Sequence, residues 1–157
     1  MRVLSRLSPV RQQRGLAMTE FVVAIPVLLL VFLATVELGR ALFQYNALTK
    51  AVRDGARYAA SARASSSGNF EITQAIRTAT TNLTVFGNEA GFGEPLLDGL
   101  TSSSVAVSLS GNGNGFVEVR ADYVFTPILG SQIPTFGFGE PIPLSLTMRA
   151  ASVMRVL

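Results

Sequence analysis

The 157-residue sequence contains no cysteine and no histidine. Without cysteine, a domain exported to an oxidising compartment has to be held together by packing, because no disulfide can form. Without histidine, the chain lacks the commonest general base, the commonest metal ligand and any Ser-His or Cys-His nucleophile. We therefore expect neither an enzyme nor a cofactor or metal site. The remaining acids do not converge with a base and a nucleophile, and six of them are interpreted as solvated: Asp54, Glu71, Glu89, Asp98, Glu118 and Asp122.

Acidic residues are also missing from the first fifteen residues, which carry four arginines, Arg2, Arg6, Arg11 and Arg14. The whole chain has 13 Lys+Arg against 10 Asp+Glu, so without these arginines the balance is about −1 and no nucleic-acid partner is expected. Positive charge before a first transmembrane segment stays in the cytoplasm. Residues 1–15 are therefore interpreted as a basic leader that is extended or disordered, and the C-terminal part is expected across the membrane.

A long uncharged run follows the leader. Residues 21–36 carry no charge, and Thr35 is their only polar side chain. A membrane-spanning helix needs about 20 mostly apolar residues, whereas the apolar part of a secretory signal has about 7 to 15. The sequence therefore predicts a transmembrane helix over 16–37. Pro26 lies inside it and is expected to kink it one turn earlier, and Glu37 and Arg40, three residues apart, are expected to mark the membrane exit.

Gly15 and Glu20 flank the start of this run, and each has two interpretations. Gly15 either breaks the chain before the helix or lets a protease approach the backbone closely. A carboxylate at the centre of a membrane helix costs about 2.5 to 3.5 kcal/mol, and less near an end. Glu20 therefore either caps the helix N-terminus or pairs with an amine, which cleavage after Gly15 would create on Leu16.

A resemblance to a known family is carried by residues 15–20 (Gly-Leu-Ala-Met-Thr-Glu) and by three separate blocks, residues 20–30, residues 37–43 and residues 51–60. Residues 15–20 resemble the class III signal of type IV pilins, and the three blocks are similar to TadE-like pseudopilins of tight-adherence, Flp-type IVb pilus systems. The resemblance implies that a prepilin peptidase cuts between Gly15 and Leu16. It also implies that Glu20, followed by Phe21, pairs with the N-terminal amine of a neighbouring subunit, and it covers about residues 14–60.

The resemblance further implies a pseudopilin or minor pilin that acts in pilus assembly and surface adhesion. The implied partners are the prepilin peptidase, other pilin or pseudopilin subunits, the inner-membrane assembly platform and membrane lipid. The implied location is the bacterial inner membrane, with one span, a cytoplasmic N-terminus and a periplasmic C-terminal domain, and incorporation into a pilus afterwards. The alternative is a single-pass membrane-anchored or secreted binding protein with a conventional signal sequence.

The helix is expected to continue beyond the membrane as an amphipathic segment, residues 38–60. One apolar stripe recurs at spacings of three, four and seven, and a row of small residues recurs at spacing four. The two sets predict a helix packed on two sides, either by its own domain or by other subunits. The stripe comprises Leu38, Leu42, Tyr45, Val52, Ala56 and Ala59, and the row comprises Ala47, Ala51, Gly55 and Ala59.

Residues 61–157 predict one small α+β domain. The polar run 61–69 should end the long helix, and apolar residues at helical spacing predict a second helix over about 70–83. Alternating residues in 105–109, 117–125 and 142–150 predict three strands with one buried face, joined by loops at 87–104, 110–115 and 127–143. The fold class is therefore α+β and pilin-like, with a long membrane-spanning helix, a second helix and an antiparallel sheet of about three strands.

The sequence Gly-Phe-Gly-Glu-Pro occurs at residues 91–95 and again at residues 137–141. No further similarity surrounds the two copies. They are interpreted either as two similar turns or as exposed phenylalanines, Phe92 and Phe138, that contact a partner.

Overall fold

The fold is α+β, as predicted. The computed structural model of the chain describes residues 10–62, 71–110, 115–128, 130–133, 140 and 142–156. These described residues form two helices, followed by a short 3-10 turn and five strands. They are α1 (Val10–Ser61), α2 (Gln74–Phe86), the turn Ser102–Ser104, β1 (Val105–Ser110), β2 (Phe116–Phe125), β3 (Gln132–Ile133), β4 (Ile142–Pro143) and β5 (Leu146–Arg155).

Helix α1 has 52 residues and includes Pro26. The sequence predicts a leader that is extended or disordered through Gly15, but α1 already begins at Val10. Glutamine and arginine are good helix formers, and no proline follows Pro9 in this part of the leader, so the helix can extend backward. Its end at Ser61 agrees with the polar run that follows. Contacts divide the chain into two units, one ending at Leu38 and the other comprising Gly39–Leu157.

Three strands form an antiparallel sheet in the second unit, in the order β1-β2-β5. Val119 in β2 lies opposite Val107 in β1 and opposite Ser152 in β5. Along β2, every second side chain from Val117 to Phe125 is buried, which is the predicted period of two. The other face is exposed to solvent. On this face, Arg149 Nε of β5 lies 3.1 Å from Asp122 Oδ1 of β2.

Several element boundaries differ from the prediction. Helix α2 begins at Gln74 rather than near residue 70, because Thr73 is its N-cap and accepts a hydrogen bond from the Ile76 amide. The third strand of the sheet begins at Leu146. Residues 142–143 instead form β4, which pairs with β3 inside the predicted loop 127–143. Residues 111–114 of the predicted loop 110–115 lie outside the described residues, as does most of the second Gly-Phe-Gly-Glu-Pro copy.

The core of the second unit joins the end of α1 to α2 and to the inner face of the sheet. Leu97 and Leu100 belong to it although they lie in the predicted loop 87–104. Full burial of one such side chain contributes about 1.5–3 kcal/mol, so this segment is fixed to the domain. The buried cluster comprises Leu48, Val52, Ala56, Ala59, Ala60, Val85, Leu97, Leu100, Val107, Val117, Val119, Ala121, Tyr123, Phe125, Met148 and Ala150.

Candidate functional site

The candidate site is the start of the apolar part of α1, around Gly15 and Glu20. Leu16 is 74% exposed and Phe21 58% exposed. A Cβ added to Gly15 would meet no atom within 4 Å, so the described fold places no side chain over this peptide. The backbone here is α-helical.

Leu16 and Glu20 lie on one face of α1, one helical turn apart. Together with Val23 and Val27 they border a single shallow groove along the helix. The rise over four residues is about 6 Å, which is the separation at which side chains i and i+4 interact. Phe21 is one residue further and lies about 100° around the helix. The structure therefore brings Leu16 and Glu20 together and leaves Phe21 on another face.

Two threonine hydroxyls at the start and near the end of the apolar segment are hydrogen-bonded within the helix. Thr19 Oγ1 donates to the Leu16 carbonyl at 2.8 Å, and Thr35 Oγ1 donates to the Val31 carbonyl at 2.8 Å. Pro26 has no N–H to donate and lies on the exposed surface, with α-helix on both sides. Hydroxyls bonded in this way are compatible with lipid, where an unsatisfied polar group is costly.

The two residues expected at the membrane exit have different environments. Glu37 is only 7% exposed. The Arg40 guanidinium lies over the Phe125 ring, 5.6 Å from its centroid. A cation over an aromatic face is attracted by the ring quadrupole, by about 0.5–1 kcal/mol at an exposed site.

The predicted apolar stripe and the predicted row of small residues, both in residues 38–60 of α1, divide into a buried and an exposed part. Val52, Ala56, Ala59 and Ala51 are buried, and Ala47 packs against the core. Leu38, Leu42 and Tyr45 are exposed, at 62%, 57% and 44%. Contacts of these three with another subunit remain a prediction. Leu48, which is fully buried, was not in the predicted stripe, although it lies one turn before Val52.

Gly55 is a point of close approach between α1 and α2. A Cβ built on Gly55 would lie 2.3 Å from Thr84 Oγ1 and 3.5 Å from the Thr80 carbonyl oxygen. Thr80 and Thr84 are fully buried, and Thr84 Oγ1 donates a hydrogen bond to the Thr80 carbonyl oxygen at 2.8 Å. The two threonines were missed from the sequence because polar residues are usually exposed. Their spacing of four, opposite the small residues of α1, was the available signal.

Two tyrosines connect α1 and the sheet to the segment after α2. Tyr58 Oη donates to Glu89 Oε2 at 3.1 Å, and burial, then the hydrogen bond and charge of Glu89, raise the pKa of Tyr58. Tyr123 Oη lies 3.0 Å from the Asp98 carbonyl oxygen and 3.3 Å from Gln44 Oε1. Burial and then the charge of Asp98 raise the pKa of Tyr123, while Arg40 opposes the shift.

The fold and the exposed apolar helix are typical of one class of protein, a membrane-anchored chain with one small domain. The part of the chain that the structure describes has one helix, near the N-terminus, that is long and apolar enough to span a membrane, which fits a single-pass anchor, and a small α+β domain follows. Among the described residues, no group of three or more acids could hold a metal ion.

A comparison with known protein families matches the apolar helix and part of its continuation. Residues 15–57 match the family model described as TadE-like protein, so the resemblance found in the sequence is confirmed over this segment. TadE-like proteins are structural proteins associated with tight-adherence pili, and the match favours a structural role over an enzymatic one. No curated protein and no solved structure matches the chain.

Proposed function

We propose that the chain is a pseudopilin or minor pilin of a tight-adherence type IVb pilus that acts in pilus assembly and surface adhesion. A prepilin peptidase removes residues 1–15 on the cytoplasmic side of the inner membrane. The C-terminal domain lies in the periplasm, and the mature chain joins other pilin subunits through the assembly platform. The observation that carries this proposal is the shared face of Leu16 and Glu20 within the matched segment.

The chemistry of this proposal is an ion pair in lipid. Cleavage after Gly15 gives Leu16 a free amine beside the exposed carboxylate of Glu20. A charge in the membrane is costly unless it is paired, and an amine on a neighbouring subunit supplies the partner when the two helices pack side by side. Pairing between subunits would therefore draw mature chains together, whereas an uncleaved chain has no such amine.

The test is the replacement of Glu20. Glu20→Gln keeps the size of the side chain but removes its charge, and Glu20→Asp keeps the charge. We expect both variants to insert in the membrane, Glu20→Gln to lose piliation and Glu20→Asp to retain part of it. Piliation is measured by electron microscopy and by the amount of sheared surface filament, and insertion by membrane fractionation. Normal piliation in Glu20→Gln would contradict the pairing.

A further inference from the structure

A groove on the outer part of α1 carries an excess of positive charge. It runs between the helix and Met154 of β5, and we name it the basic groove. Lys50 and Arg53 are exposed in it, and Arg57 lies 3.2 Å from Asp54. The groove thus has three cations and one acid. Its lining comprises Tyr45, Asn46, Thr49, Lys50, Arg53, Asp54, Arg57 and Met154.

The segment from Gly87 to Leu100 has the opposite charge, and we name it the acidic loop. It contains Glu89, Glu94 and Asp98, all exposed, and no lysine or arginine. Buried Leu97 and Leu100 fix one end of the loop to the core.

Hydrogen bonds hold the middle of the acidic loop in shape. The Phe92 amide donates to Asn88 Oδ1 at 3.1 Å, and Asn88 Nδ2 donates to the Phe92 carbonyl at 2.7 Å. Asn82 Nδ2 also donates to the Glu89 carbonyl at 2.9 Å. The loop therefore presents Phe92, which is 79% exposed, on a fixed turn.

The groove and the loop lie on opposite flanks of α1. Angles around the α1 axis are counted from buried Val52 at about 100° per residue. On this count, the side chains of Arg53 and Arg57 lie about 100° and 140° to one side. Gln44 and Tyr58, which are connected to the loop through Tyr123 and Glu89, lie about 80° and 120° to the other side. One molecule therefore cannot place its own acidic loop in its own basic groove.

The two surfaces also occupy the same levels along the helix axis. The loop runs beside α1 from the level of Tyr58 to that of Gln44, about 21 Å at 1.5 Å per residue. The groove runs from Tyr45 to Arg57, about 18 Å. Opposite charge and similar length make the two surfaces complementary, and exposed Phe92 on the loop matches the apolar side chains of Tyr45 and Met154 in the lining of the groove.

We infer that the basic groove of one chain binds the acidic loop of a second copy of the same chain. Each copy has one of each surface on opposite flanks, so the contact is head-to-tail and leaves each copy able to bind a further copy, instead of closing as a two-fold dimer. The charges steer and align the copies, and Phe92 adds the apolar contact. The inference rests on the assembly role proposed above.

Disulfide cross-linking tests this contact, because the native chain has no cysteine. Two differently tagged full-length chains are co-expressed in piliated cells, one carrying Glu94→Cys and the other Arg53→Cys, and a mild oxidant is added. We expect a mixed dimer.

The control pairs Glu94→Cys with Arg120→Cys, on the solvent-exposed face of the sheet, and should give at least about tenfold less dimer. Adding Lys50→Glu to the groove chain should reduce the mixed dimer about tenfold, and adding Asp98→Lys to the loop chain should restore it.

Three results would overturn the inference: no mixed dimer above the control, a dimer of Glu94→Cys chains that is equally abundant, or cross-linking of Arg53→Cys only to a different protein. The N-terminus of the same chains is sequenced in parallel. A terminus at Leu16 without the mixed dimer would leave the proposed processing intact and reject the self-contact alone.

Discussion

At the scale of the residue, Gly55 determines how closely α2 can approach α1. The row of small residues at spacing four predicted a close neighbour, and Gly55 has one in Thr84. The sequence analysis did not identify the neighbour, because threonine is usually exposed and the spacing of four between Thr80 and Thr84 does not by itself mark them as core residues. Thr80 and Thr84 occupy core positions by shape rather than by hydrophobicity.

Gly55→Ala should therefore destabilise the domain. The new methyl group would lie 2.3 Å from Thr84 Oγ1, and overpacking of this kind costs about 1–3 kcal/mol. Gly39→Ala is the matched control in the same helix, since its methyl group would meet no atom within 4 Å and alanine is favoured over glycine in helices. The measurement is the thermal unfolding midpoint of the solubilised full-length chain.

The same experiment identifies the clashing atom. Thr84→Ala removes Oγ1, so the cost of Gly55→Ala should be smaller in the Thr84→Ala background, as a double-mutant cycle reports for residues in contact. Equal midpoints for Gly55→Ala and Gly39→Ala would show that the helices do not pack through Gly55.

At the scale of the element, Tyr58 and Tyr123 connect the acidic loop to α1 and β2. Both pKa values are raised above the ordinary 10.0, in each case mainly by burial. The folded state therefore favours the neutral phenol. Each neutral phenol contributes to the stability of the fold, fully at a pH below the pKa of the unfolded tyrosine. This contribution is lost as the pH rises through the higher pKa of the folded tyrosine.

We therefore expect the free energy of unfolding to fall as the pH rises above about 10. Tyr58→Phe and Tyr123→Phe should each reduce the slope of this fall, because each removes one of the shifted groups. Tyr45→Phe, on the exposed side of α1, is the control. The measurement is the unfolding midpoint of each variant from pH 8 to pH 11, and a slope that is the same in all three variants would contradict the assignment.

The elements differ in how far the sequence predicted them. The strict alternation from Val117 to Phe125 predicted β2, because one face packs on the core and the other is wet. Helix α2 was predicted with its start too early, since Ile72 continues the apolar spacing but Thr73 caps the helix. The core role of Leu97 and Leu100 was missed because glycine, proline and aspartate surround them, and only tertiary contacts show that this loop is packed.

At the scale of the whole molecule, the chain combines an exposed apolar helix with a small domain whose two flanks have opposite charge. The apolar length of the helix could be predicted from the sequence, whereas the roles of Gly15 and Glu20, which the family resemblance implies, stay predictions. The placement of the acidic loop and the basic groove on opposite flanks of α1 could not be predicted from the sequence. It depends on tertiary contacts of Tyr58, Tyr123 and Met154.

Cleavage after Gly15 is the central step of the proposed assembly, because it creates the amine that Glu20 is proposed to bind. The decisive measurement is N-terminal sequencing of the membrane-bound chain, with intact mass, in a host with an active prepilin peptidase. Gly15→Val and Gly39→Val are compared with the native chain, since neither added Cβ meets an atom within 4 Å and only Gly15 lies at the proposed cut. We predict that the native and Gly39→Val chains begin at Leu16 and that Gly15→Val keeps residues 1–15. A native chain that retains its leader, or begins beyond residue 40 as a conventional signal sequence would leave it, would contradict the account.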